Sequence, residues 1–276
     1  MAYKSVMVHL ELDGDNDGVL KITGELAERF EARVIGVVAC QPIQVPVSDG
    51  LYVGEAIKQE RQQIKERFAA AECQFRGALQ DRVRSLEWRS SISDGPLADY
   101  IAQQARAADL IITGRDIGPN LVNLPRRVKL GDLVMGAGRP VLVVPKGITT
   151  LAMRHVVVGW KEGREARRAP ADALPFLKAA GRATVLSVTS QQDQAAVQAE
   201  ADDVAAWLRQ HQVEASAEVL IAAGTEAGYL RATLMDRKCD LLVAGAYGHA
   251  RLREWMFGGV TADALLNPPC CVLFSH

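Results

Sequence analysis

The feature that most constrains this sequence is an internal duplication. Three pairs of similar segments occur in the same order in the two halves of the chain. They are Lys4–Leu10 and Arg154–Trp160, Asp109–Gly114 and Asp240–Gly245, and Arg139–Pro145 and Pro268–Phe274. The first pair, KSVMVHL and RHVVVGW, is apolar and rich in β-branched residues, which is typical of strands buried on both faces. This self-similarity predicts two tandem copies of one supersecondary unit.

Each copy alternates strand and helix patterns. Strands are predicted at 4–10, 33–40, 85–92, 109–114 and 140–145, and at 155–160, 183–189, 214–221, 240–245 and 270–274. Helices are predicted at 17–31, 54–83, 96–107 and 127–136, and at 163–180, 193–211, 224–237 and 259–266. This alternation predicts an α/β fold in which each copy is a five-stranded, parallel, doubly wound sheet. The linker Lys146–Met153 separates a predicted domain at 1–146 from another at 154–276.

The composition excludes several classes of function. The chain has 32 basic and 33 acidic residues, so no basic field is present to attract nucleic acid. Its first residues meet acidic side chains after one short apolar run, unlike a signal peptide or a membrane span. We therefore expect a cytoplasmic protein without nucleic-acid or membrane partners. The five cysteines lack CxxC spacing and are expected to be core thiols: Cys40, Cys73, Cys239, Cys270 and Cys271.

The loop after the fourth strand of the second copy is the main candidate site. Ligands of doubly wound sheets bind beyond the carboxyl ends of the strands, where the connections diverge. Glycine permits close backbone approach, and the amides at a helix N-terminus attract anions. The loop therefore predicts phosphate binding, although such glycines also serve ordinary turns. Its candidate residues are Gly245, Gly248, His249, Gly258, Gly259, Val260 and Thr261.

The spacing G-x2-G-x9-G at Gly245, Gly248 and Gly258 resembles the motif of the universal stress protein family. The segment VVVGWKEGREARRAPADALPFL is similar to the second repeats of tandem bacterial members, and the resemblance covers nearly the whole chain. It implies two flavodoxin-like (adenine nucleotide alpha hydrolase-like) domains that pack as an intramolecular pseudo-dimer. It also implies that a homodimer can form.

One subclass of this family binds ATP between the first-strand and fourth-strand loops. The resemblance implies that Gly245 and Gly248 face the ribose and α-phosphate, and that Gly258, Gly259 and Thr261 face the outer phosphates. Adenine would lie near the second strand of this copy, at Val188, and Lys161 would lie within reach of phosphate.

Two positions depart from the family pattern. Gly259 stands where the family prefers Ser or Thr, so one hydroxyl ligand is missing. Lys161 stands where an acidic or amide residue is common, so the ligands of an accompanying Mg²⁺ are not identifiable.

The first copy departs further. Its glycine spacing after Gly114 differs, and Asp132 stands at the predicted start of a helix, where a carboxylate repels phosphate. The stretch Glu11–Gly18 resembles the opening of a calcium loop, but its twelfth position is Gly24 rather than Glu, so we expect a turn and a helix cap.

The sequence thus predicts a stress-response protein that binds or senses ATP through its second copy. Two alternatives stay open. One is a tandem scaffold or partner-binding protein in which neither copy binds nucleotide. The other is a slow ATPase that uses the same loop. No catalytic residue is predicted for it, although His249 could assist slow hydrolysis.

Overall fold

In a computed structural model the described residues are 2–12, 14–42, 53–115, 127–221, 226–246 and 269–276. The strands of the first half are β1 (Ser5–His9), β2 (Arg33–Cys40), β3 (Leu86–Ile92), β4 (Leu110–Gly114) and β5 (Val141–Val144). Its helices are α1 (Asp17–Phe30), α2 (Val53–Leu79), α3 (Leu97–Gln104) and α4 (Leu130–Gly136), with a 3-10 turn at Ala105–Ala107.

The second half repeats this order. Its strands are β6 (His155–Gly159), β7 (Arg182–Thr189), β8 (Ala215–Ile221), β9 (Leu241–Gly245) and β10 (Cys271–Ser275). Its helices are α5 (Arg164–Asp172), α6 (Leu174–Ala179), α7 (Gln194–Gln210) and α8 (Glu226–Asp236). The helix predicted at 259–266 lies outside the described residues.

All ten strands form one sheet in the order β3-β2-β1-β4-β5-β10-β9-β6-β7-β8. Within each half every neighbouring pair is parallel, and the order relative to the chain is the same. The prediction of two tandem, doubly wound α/β units is confirmed. In each half the order of the strands changes direction between the first and fourth strands, so the connections on either side diverge and create a switch point at the carboxyl ends of these two strands.

Apolar side chains cover both faces of the sheet. On what we call the first face, Val6 and Val8 belong to a core that includes residues of α1, α2, α5, α6 and α7. On the second face, Met7 belongs to a core that includes residues of α3, α4 and α8. Since strand side chains alternate between faces, this division assigns a face to each residue at the ends of the strands.

The two halves join through an antiparallel pair of strands. Phe274 of β10 lies opposite Val141 of β5. Beside this joint, the Tyr3 ring lies 5.4 Å from both Phe30 and Phe176, and its hydroxyl donates a 2.5 Å hydrogen bond to the carbonyl of Asp172. Residues from both halves therefore form one continuous core.

Two details differ from the sequence predictions. The helix predicted at 163–180 is two helices, because Pro175 lacks the N–H that a continuous helix needs there. Cys73 is exposed on α2, whereas the other four cysteines are buried as expected.

No helix in the described part of the chain combines the length and the apolar character needed to cross a membrane.

Candidate functional site

The switch point of the second half is lined by small residues. At the carboxyl ends of β6 and β9, Gly159 lies opposite Ala244, and Gly159 also neighbours Leu186 of β7. Ala244 and the buried Ala246 belong to the second face. A Cβ atom added at Gly159 would make ordinary contacts, the nearest with Leu242 Cδ1 at 3.6 Å. A glycine and two alanines therefore leave these strand ends with little side-chain volume on the second face.

The corresponding positions of the first half carry larger, polar side chains. Strand alignment pairs Gly159 with His9, Ala244 with Thr113, and Ala246 with Arg115. Alternation along β1 and β4 places all three polar side chains on the second face. The two crevices therefore have the same strand arrangement, but the side chains that line them differ in size.

His9 and Thr113 form a buried hydrogen-bonded pair. His9 Nδ1 lies 2.9 Å from Thr113 Oγ1, and both residues are buried. Burial lowers the pKa of His9 to about 4, so the imidazole is neutral near pH 7. The buried Nε of Arg115 has no hydrogen-bond partner among the described residues. The first crevice is thus lined by an imidazole, a hydroxyl and a guanidinium at positions where the second has a glycine and two alanines.

Gly245 lies where β9 approaches the start of α5. A Cβ at Gly245 would lie 2.5 Å from both Ala166 N and Glu165 C. At the equivalent Gly114, the nearest atom would be Val19 Cγ2 at 3.8 Å. Glycine at position 245 therefore does permit a close backbone approach, but the group that approaches it is the backbone of α5.

Glu165 is a residue of this region that sequence reasoning missed. It is buried in the first turn of α5; its backbone approaches Gly245, and its carboxylate oxygen Oε2 would lie 3.7 Å from a Cβ at Gly163. Burial acts to raise its pKa, but hydrogen bonds from its own backbone amide and from Arg164 outweigh burial, so the pKa is lowered. The glutamate two residues after Gly163 was the available signal, since acidic residues favour a first helical turn.

The remaining predicted residues separate into two groups. Lys161 is exposed in the loop after β6, and Val188 is partly buried against the core of the second face. Lys161 follows β6, which ends at Gly159, and Val188 lies near the end of the neighbouring strand β7. The other candidates lie outside the described residues: Gly248, His249, Gly258, Gly259, Val260 and Thr261.

In the first half, Asp132 lies in the first turn of α4, but the N-cap is Lys129. The acidic segment before α1 forms a turn in which the Asn16 side chain hydrogen-bonds to both the N–H and the carbonyl of Glu11. Asp17 pairs with Lys21 at 2.8 Å. Across the described ranges no group of three or more His, Cys, Asp or Glu residues could hold a metal ion.

These features define a tandem doubly wound α/β protein whose two switch points differ in the size of the side chains that line them. A universal stress protein from Archaeoglobus fulgidus matches it with a TM-score of 0.75 at 12% identity, over 98% of this chain and 95% of its own. A functionally unknown protein from Pseudomonas aeruginosa matches with a TM-score of 0.62 at 16% identity, over 99% and 92%. The chain therefore has the fold of this universal stress protein over nearly its whole length, as the sequence resemblance implied.

A universal stress protein in complex with cAMP matches 45% of this chain and 98% of its own at 22% identity, with a TM-score of 0.39. No protein-family model matches the sequence, and no curated protein matches it significantly.

Proposed function

We propose that this chain is a universal stress protein that binds ATP in its second repeat. The observation that carries the proposal is the contrast between the two crevices. Gly159, Ala244 and Ala246 bring only small side chains to the second crevice, whereas the first holds a buried histidine, a threonine and an arginine. An aromatic base needs a concave, mostly apolar space, which small residues provide.

The proposed contacts follow the order of the strands. Val188, at the end of β7, borders the base, while Gly245 and Gly248 lie toward the ribose and α-phosphate. Gly258, Gly259 and Thr261 contact the outer phosphates, and Lys161 neutralises part of their charge. Glu165 in the first turn of α5 is ionised, because its pKa is lowered, so its carboxylate disfavours a phosphate close to that turn.

The first repeat acts in this proposal as the scaffold that pairs with the second. Domain boundaries at 1–146 and 154–276 fit this division, because β5 ends at Val144 and β6 begins at His155. A cytoplasmic stress-response role and a further homodimer belong to the same proposal.

The proposal is tested by exchanging the linings of the two crevices. The double substitution Gly159→His and Ala244→Thr places the first repeat's pair in the second repeat. Titration calorimetry with ATP, with and without Mg²⁺, should show binding to the natural protein and at least a tenfold loss in the variant. His9→Gln, a change in the other crevice, is the matched control and should leave ATP affinity unchanged.

No ATP binding by the natural protein, together with no nucleotide released from it on denaturation, would support the scaffold alternative. Gly248→Glu supplies an independent loss-of-binding variant in the glycine loop. If ATP binds, recovery of unhydrolysed ATP after long incubation with Mg²⁺ would exclude the slow ATPase.

A further inference from the structure

A cleft of about 430 Å³ lies between α5 and α7 on the first face. This volume lies within the range of small-molecule sites. Trp160 and Trp207 are among the residues that line it. Trp160 follows Gly159 and therefore points to the first face, away from the proposed nucleotide crevice.

The charge of the cleft is predominantly negative. Its ionisable side chains are Glu162, Glu200, Asp203 and Arg167. Glu162 and Arg167 form an ion pair at 3.3 Å, so their charges offset each other. Neither Glu200 nor Asp203 has an ion-pair partner among the residues that the structure describes. Two carboxylates are thus left to attract a cation.

These carboxylates share one stripe of α7 with an aromatic ring. Glu200, Asp203 and Trp207 follow each other at intervals of three and four residues, so their side chains lie on one face of the helix. Trp207 is 38% exposed, and its ring centroid lies 4.4 Å from that of His211, so the indole is in contact with His211 but keeps exposed surface. An exposed indole on the same helix face as carboxylates is a favourable environment for an organic ammonium group.

Trp160 adds an observation that does not depend on the acidic residues. The residue is 6% exposed, and its Nε1–H has no hydrogen-bond partner among the described atoms. A buried donor without a partner is costly, and an acceptor supplied by a ligand would remove that cost.

We propose that the cleft between α5 and α7 binds a small organic cation that carries an apolar body and a hydrogen-bond acceptor. The ammonium group lies against Trp207 between Glu200 and Asp203. The apolar body packs against Trp160, and a small adjustment of its indole allows Nε1–H to meet the acceptor.

Benzoylcholine is a suitable probe, since it combines a quaternary ammonium group, an ester and a phenyl ring. Its neutral isostere, 3,3-dimethylbutyl benzoate, has the same shape without the charge. Titration of the full chain, followed by tryptophan fluorescence and calorimetry, should show saturable binding of benzoylcholine and about tenfold weaker binding of the isostere.

Asp203→Asn and Trp207→Leu should each weaken benzoylcholine binding about tenfold. Asp202→Asn is the matched control, because it removes the same charge from the adjacent position of α7 but lies outside the cleft lining. Its affinity should equal that of the natural protein. Circular dichroism of each variant checks that α7 remains folded.

Equal affinity for the charged and neutral probes, or equal losses in Asp202→Asn and Asp203→Asn, would overturn the proposal. Displacement of benzoylcholine by ATP would also overturn it, because the two sites lie on opposite faces of the sheet. Failure of ATP to bind at all would contradict the proposed nucleotide function and leave the cation result unaffected.

Discussion

The carboxylate of Asp240 accepts a 2.9 Å hydrogen bond from the backbone N–H of His155. The same oxygen accepts a 2.7 Å hydrogen bond from the N–H of Arg154. Asp109 does the same for Lys4 and Ser5, at 2.8 and 3.0 Å. One aspartate in each repeat thus holds the start of the first strand against the start of the fourth.

Asp240→Ala should lower the free energy of unfolding by about 2 kcal/mol, because two backbone donors lose a charged acceptor. Asp109→Ala should have a similar effect for the same reason. Urea denaturation followed by circular dichroism measures both changes. Asp236→Ala, an exposed change on α8, is the control and should stay within about 0.5 kcal/mol of the natural protein. A loss confined to one repeat would show that the two aspartates are not equivalent.

Stability should decrease with acidification through His9. Its pKa is about 4 when folded and about 6.5 when unfolded, so the unfolded state binds the extra proton between these values. The free energy of unfolding should therefore fall by about 3 kcal/mol from pH 6.5 to pH 4 through this group alone. His9→Gln should show a correspondingly shallower pH dependence in parallel denaturation curves. Identical curves would mean that His9 is protonated equally in both states.

Gly245→Ala should destabilise the protein by about 2 kcal/mol, because the new methyl group overlaps the backbone of α5. Gly114→Ala is the matched change in the first repeat, where the Cβ would make only an ordinary contact with Val19. Thermal and urea unfolding of the two variants should separate them clearly. Equal stabilities would contradict the close approach of β9 and α5.

Tyr3→Phe should cost about 1 kcal/mol, since it removes the hydrogen bond to Asp172 and keeps the ring packing. Tyr229→Phe serves as the control because Tyr229 is 40% exposed. The difference should appear in the urea midpoint with an unchanged slope. A cost no greater than that of the control would show that the ring contacts alone hold this part of the joint.

The sequence was sufficient to predict the repeated strands and their order along the chain. Short apolar runs rich in β-branched residues specify the strands locally. The matched aspartates of DLIITG and DLLVAG mark the same structural position in both repeats. The break between α5 and α6 was predictable from Pro175 but was missed within an otherwise helical pattern.

The lining of the crevices was harder to predict. Thr113 meets His9 only because β1 and β4 are neighbours, and that neighbourhood depends on tertiary structure. A residue-by-residue alignment of the ends of β4 and β9 would have shown that Thr113 of the first repeat corresponds to Ala244 of the second. Gly245 was explained through phosphate binding, but its contact with α5 became visible only in three dimensions.

The antiparallel pairing of β5 with β10 also determines how the association of the two repeats responds to dilution of the protein. Two separate chains that met through these strands would dissociate as their concentration fell. Here the segment between Val144 and His155 tethers the partners, so their effective concentration is set by the length of a short connection. The paired arrangement of the repeats should consequently persist at any abundance of the protein in the cell.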